Sequence, residues 1–188
     1  MVESLRSLKG QFLIAMPGLK DPNFYRTVTF MTEHNAHGAM GVVFNRVHPK
    51  IRAKMVFDAL KIAPGTDISR VPVHGGGPVR PNEIFILHEA PFEWKNSVMI
   101  TPSVALSNSR DIIEAIAAGE SPENFLVALG SAGWGSGQLE RELHDNTWIT
   151  SAGSAEIIFS LSVDTRWEAA IRALGIDPEQ LSDMAGSA

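Results

Sequence analysis

Cysteine is absent from all 188 residues. That excludes thiol nucleophiles, thiolate metal sites and disulfides, and it is compatible with a reducing cytoplasm. Long apolar runs are missing too. The run near the N-terminus, Phe12 to Pro17, has six residues with its proline included, too short for a signal-peptide core or a membrane span. A cytoplasmic protein with no membrane partner is therefore expected. Cations are scarce in the second half. Residues 95–188 carry 5 Lys and Arg against 13 Asp and Glu, whereas residues 1–94 carry 11 against 8. An acidic half argues against wholesale nucleic-acid binding, because phosphate contacts need clustered cations.

What is present is an ordinary globular composition, 44% hydrophobic and 20% charged. A chain of this size can bury roughly 70% of its unfolded surface without a metal or disulfide staple. A single domain over residues 1–188 is expected, with no cofactor implied. One cationic stretch stands out. RVHPKIRAK places Arg46, His48, Lys50, Arg52 and Lys54 at alternate positions, which share one face of an extended segment. It reads either as a solvated edge or as a site for an anionic partner.

Apolar periodicity places strands at 11–16, 25–33 and 39–45, the last two joined by a turn at HNAHG. Further strands are expected at 71–74, 83–88, 97–100 and 125–130, with TWIT following a short helix over 138–145. AKMVFDAL predicts a helix over 53–60. SNSRDIIEAIAAGE, with cap-type serines in front and Gly119 behind, predicts one over 109–118. DTRWEAAIRALGI predicts a last helix capped by Asp164, with Trp167, Ala170, Ile171 and Leu174 as its apolar stripe. Clustered hairpins favour an α+β fold over a doubly wound parallel sheet.

The stretch FLVALGSAGWGSGQLERELHDNTWIT reads as strand, glycine loop, helix and strand. Its glycines fail the tests for known chemistry. There is no Gly-Lys-Ser or Gly-Lys-Thr in the chain, so no lysine can reach the phosphates as in a P-loop. Gly133, Gly135 and Gly137 are one residue short of a dinucleotide fingerprint. Trp134 stands two residues before Ser136, where a nucleophile elbow needs glycine. A structural corner is expected instead, with the Trp134 indole folded back over the sheet, Leu139 and Leu143 buried, and Glu140, Arg141 and Glu142 mainly in solvent. Gln138 remains a candidate ligand contact.

EHNAH offers Glu33, His34 and His37, but no reliable third metal ligand, so a surface turn is expected rather than a metal site. HGGGPV is the better candidate. Gly75, Gly76 and Gly77 after His74 suit either an anion nest or plain backbone punctuation stopped by Pro78. If the strands ending at Asn45 and His74 are neighbours, Arg46 adds a guanidinium to such a nest. No Asp or Glu pair stands out as an acid–base couple, and no catalytic residue is assigned.

Three stretches, QFLIAMPGLKDPNFYRTVTFMTEHNAHGAMGVVFNR, GGPVRPNEIFILH and FLVALGSAGWGSGQLERELHDNTWIT, occur in that order, followed by RWEAAIRALGIDP. Together they resemble the YqgE/AlgH family of bacterial proteins over roughly residues 9 to 182. The family's signature positions fall on Asp21, Pro22, Arg26, Glu33, His34, Gly38, Gly41, Asn45, Gly76, Gly77, Pro78 and His88. They continue on Gly133, Trp134, Gly135, Gly137, Gln138 and Leu139. Ser131, Ser136 and Val47 depart from its usual residues. The resemblance implies a compact α+β domain with a curved, partly barrel-like sheet. It brings no established catalytic residues, and one branch is named as a transcriptional regulator of alginate production. A non-catalytic regulatory or interaction protein is the expected function, with an unknown protein partner and no direct specific DNA binding. The alternative is an enzyme or sensor for a small anionic ligand at Asn45, Arg46, His74, Gly75–Gly77 and Gln138.

Overall fold

The computed structural model describes residues 7–185. Nine strands make one sheet: β1 Gln11–Ala15, β2 Val28–Asn35, β3 Gly38–Val43, β4 Val73–Gly75, β5 Val79–His88, β6 Val98–Met99, β7 Ala105–Ser107, β8 Phe125–Gly135 and β9 Trp148–Ala152. Their order is β6-β7-β5-β8-β3-β2-β1-β9, with β4 pairing β8 off this path. All ladders are antiparallel except β4 with β8. The sheet curls into a half-barrel, and with several short helices it forms one compact α+β domain.

β8 is the hinge of this architecture. Its first half pairs with β5 and with β4, and its second half pairs with β3. The glycines expected to form a loop are therefore largely strand: Gly130, Gly133 and Gly135 all lie within β8. Only Gly137, at φ 70, turns the chain into the helix α3, Gln138–His144. Reading glycines as breakers misses their other use, which is to let backbone approach backbone. Gly130, at φ 76, lies against the Gly77 carbonyl, and Gly133 lies against Val79.

Strand alternation distributes side chains to cores on both faces of the sheet. Phe12 and Ile14 of β1 join Phe30, Phe44, Leu87, Ile158 and Trp167 in the largest cluster, whereas Leu13 and Ala15 join Met31, Trp134, Leu139 and Trp148 in another. A third cluster packs α1 Ala53–Ala59 and α2 Arg110–Ala118 against Ile86 and Val127, through Phe57, Ile112 and Ile116. Two-sided burial explains why these strands read as near-continuous apolar runs.

α2 follows its sequence signals closely. Ser109 is its N-cap position and Gly119, at φ 82, ends it. Elsewhere boundaries shift. β2 starts at Val28 rather than residue 25, because Arg26 sits at φ 51 in a turn. The last amphipathic segment is a 3-10 turn over Val163–Thr165 followed by α4 Arg166–Arg172, with no side-chain cap from Asp164. Leu174 is exposed, not part of the buried stripe. β7, the π turn at Glu156–Ser160 and α5 Pro178–Ala185 have no counterpart in the periodicity reading. Among the described residues, no helix is long and apolar enough to cross a membrane.

Candidate functional site

The segment after β3 runs beside β4. The Gly75 amide donates to the Arg46 carbonyl at 2.9 Å, and the Val43 amide to Gly76 O at 2.9 Å. Val47 and His74 form an antiparallel bridge. The condition set for a shared nest, that the two strand ends lie side by side, is met. Their polar groups, however, turn away from a common ligand position. Gly75 spends its amide on Arg46, and the Gly76 amide donates to Leu129 O at 2.7 Å. The Arg46 guanidinium donates to the carbonyls of Pro22 at 2.7 Å, Asn23 at 3.1 Å and Tyr25 at 3.0 Å. It clamps the turn before β2. Asn45 does similar work, accepting from the Val28 amide at 2.7 Å and donating to Arg26 O at 2.9 Å. These two side chains supply backbone-like partners to a turn that has no ladder of its own.

His74 points into the core and is 2% exposed. Its Nδ1 donates to Val127 O at 3.2 Å, which leaves the Nε2 lone pair buried without a partner. Burial, and next the positive charge of Arg166, push its pKa down to about 4, against the opposing pull of the Val127 bond. Arg166, itself buried, donates to Leu161 O at 3.1 Å and to Phe44 O.

A pH dependence follows with a definite sign. The folded pKa lies below the unfolded value of about 6.5, so the unfolded chain binds more protons between the two. The His74 contribution is complete above about pH 6.5, is lost as pH falls from there toward 4, and levels off below. A gap of that size corresponds to about 3 kcal/mol. His88 is also shifted down by burial, against its bond to Glu89 O, so wild type alone does not isolate the effect. Between pH 7 and pH 4.5, urea unfolding should show a fall in stability larger by about 2–3 kcal/mol in wild type than in His74→Gln. An identical fall in the variant would assign the titration to other groups.

Gln138 belongs to a different cluster. Its Oε1 accepts from the Gly135 amide at 3.0 Å, and its Nε2 donates to Glu142 Oε1 at 2.9 Å. Glu142 is the centre. Its Oε2 accepts from Trp134 Nε1 at 2.9 Å and from Trp148 Nε1 at 2.7 Å. Glu142 is thus not a solvent-side residue; it is the carboxylate that satisfies two buried indoles. Glu140 is engaged as well, accepting from His34 Nε2 at 2.8 Å. Because His34 Nδ1 accepts from the Leu8 amide at 3.0 Å, the Nε2 carries the proton. His34 is buried rather than on a surface turn, and both its nitrogens are occupied, while His37 is exposed.

One constellation escaped sequence reasoning. His88 Nδ1 donates to Glu89 O at 2.7 Å, and its Nε2 accepts from Ser107 Oγ at 2.8 Å. Ser107 Oγ in turn lies 2.6 Å from Ser97 Oγ. A serine–serine–histidine chain invites a catalytic reading, yet His88 is fully buried and burial weakens it as a base. Its geometry ties β5 to β7 and to the residue before β6. No sequence signal links residues 88, 97 and 107; the pairings of β7 with β5 and with β6 bring them together.

A mainly apolar, open groove of about 300 Å³ lies elsewhere, between α1 and the start of β5.

An AlgH-like family model matches residues 12–179. The UPF0301 protein of Desulforapulum autotrophicum is 47% identical over 181 residues, covering 96% of each chain. The solution structure of the AlgH protein from Pseudomonas aeruginosa, 40% identical, superposes with a TM-score of 0.81 over 100% of both chains. A Corynebacterium diphtheriae crystal structure, 17% identical, shares the fold at a TM-score of 0.69, covering 98% of this chain and 94% of that one. By these matches over nearly its whole length, the chain belongs to the AlgH-like family.

Proposed function

We propose that this chain is a non-catalytic interaction protein, and that any effect on transcription passes through a protein partner rather than DNA. The observation that carries this reading is the commitment of its polar candidates. Arg46, Asn45, Gln138 and the amides of Gly75 and Gly76 are all bonded within the fold, so binding an anion there means breaking those bonds first. The charge balance supports the same reading. Net charge is −5, and α2 and α3 carry one arginine each, Arg110 and Arg141, too little for a recognition helix in a major groove.

Fluorescence anisotropy with random and genomic duplex pools at physiological salt tests this. No specific site tighter than about micromolar is expected, where specific binders reach roughly 10⁻⁸–10⁻¹¹ M. A specific nanomolar site would sink the proposal. Phosphate or ATP binding tighter than about millimolar, with amide shifts at Gly75–Gly77, would favour the anion sensor instead. In cells, a photoreactive residue scanned over the surface should give discrete protein adducts from one face.

A further inference from the structure

We infer that the groove between α1 and β5 is the docking site for an acidic amphipathic helix of a partner protein. This rests on the interaction reading above and names its surface. One wall is the outer stripe of α1 and its flanks, Ile51, Met55 and Ala59 at successive i, i+4 positions, with Leu60 closing the end. The other wall is Pro81 and Ile84 of β5. Leu129 of β8 also lines the groove. Met55 is 55% exposed although it stands between apolar neighbours, while the same helix buries Ala53 and Phe57 against the fold and Val56 at the floor of the groove. α1 is therefore apolar on two sides, and only one has a partner in the fold. Methionine suits such a surface because its flexible thioether adapts to the side chain it meets.

The rim selects the occupant's charge. Four exposed cations, Lys50, Arg52, Lys54 and Lys61, adjoin lining residues in the chain, against two acids, Asp58 and Glu83; Arg80 lines other concavities, beside Met40 and Trp134. Both acids are already paired, Asp58 with Lys54 at 2.6 Å and Glu83 with Arg80 at 3.4 Å. Lys50, Arg52 and Lys61 have no carboxylate partner among the described residues, and Arg52 donates only to the carbonyls of His48, Pro49 and Ile51. An apolar floor with a cationic rim fits a helix carrying apolar residues at i, i+4 and i+7 and glutamates beside them. The groove is an open trough rather than an enclosed cavity, which suits a helix better than a small apolar ligand. Single-stranded nucleic acid is a poorer match. Among the described residues no aromatic side chain lines the groove, and bases need stacking platforms.

The test uses the full chain and a labelled amphipathic peptide of about 18 residues, long enough to hold a helix in water, with a leucine stripe and a glutamate face. Anisotropy should show saturable binding in the micromolar range. Met55→Glu should weaken it at least about tenfold, by placing a buried like charge in the trough. Lys50→Glu with Lys61→Glu should weaken it several-fold and flatten its salt dependence, because rim charges are screened over about 10 Å at 0.1 M salt. Both variants alter exposed side chains, so their melts should match wild type. Equal binding of a peptide with lysine in place of every glutamate overturns the proposal, as does binding unaffected by Met55→Glu. Sedimentation showing a dimer that Met55→Glu dissolves overturns it in favour of a second copy of the chain. If the peptide fails while photo-adducts form from another face, the groove is wrong and the interaction reading stands. Specific DNA binding would end that reading whatever the peptide does.

Discussion

Trp134→Ala should destabilise the fold by about 3–5 kcal/mol, the usual cost of truncating a buried aromatic. The indole is 6% exposed. Its ring centroid lies 5.9 Å from that of Trp148 in an edge-on arrangement and 6.2 Å from Phe24, and Phe24 meets Trp148 at 5.4 Å. Truncation opens a void among three aromatics and takes one donor from Glu142. Trp134→Phe separates the two effects in part: it keeps most of the volume while losing the N–H, so it should cost nearer 1–2 kcal/mol. Glu142→Ala probes the same cluster from the other side, leaving two indole N–H groups without their acceptor at about 1–3 kcal/mol each if water cannot reach them. Urea titration at pH 7 reads all three. A Trp134→Ala transition unchanged within error would place the indole at the surface in solution, and a binding role would then explain it better than packing.

The Trp134 cluster also shows where sequence reading stops. A tryptophan flanked by glycines signals close backbone approach, and its burial follows from that. Its acceptor does not. Glu142 lies eight residues on, on a short helix whose polar face looks solvent-directed by periodicity alone. The β9 strand, which brings in Trp148, gives the half-buried carboxylate its second indole partner. The same limit holds at the candidate site. The sequence leaves open whether the strands ending at Asn45 and His74 are neighbours; the Gly75 amide does meet the Arg46 carbonyl. The direction of the donors depends on distant partners, Leu129 for the Gly76 amide and the turn at residues 22–25 for the guanidinium. Those contacts leave no local pattern. Arg166 is the extreme case: it reads as an ordinary cation opening a helix, yet it is buried and bonded to a carbonyl 122 residues away. α2, by contrast, is wholly legible, because its cap position, apolar period and terminal glycine are all local signals.

The three glycines after His74 offer a sharper experiment, because they are not equivalent. Gly77 sits at φ 141, and a Cβ there would fall inside van der Waals contact of the Ser131 carbonyl and the Ala132 amide, all backbone of β8. Neither atom can yield without breaking the strand that joins the two halves of the sheet. Gly77→Ala should therefore combine backbone strain of about 1–3 kcal/mol with overpacking of about 1–3 kcal/mol, a loss of roughly 2–6 kcal/mol. Gly75 has open space where its Cβ would go and an ordinary φ. Gly75→Ala should be neutral or raise stability by about 0.4–1 kcal/mol through the unfolded chain. Chemical denaturation of the two single variants side by side checks the contrast. Equal, small effects would mean that the connection from β4 to β5 does not pass β8 this closely. Equal, large effects would mean that the amide geometry of the whole turn matters more than its contact with β8, and the anion-nest interpretation would regain its footing. The expected asymmetry, severe at Gly77 and absent at Gly75, follows if these glycines serve the passage of the β4–β5 connection over β8 rather than a ligand.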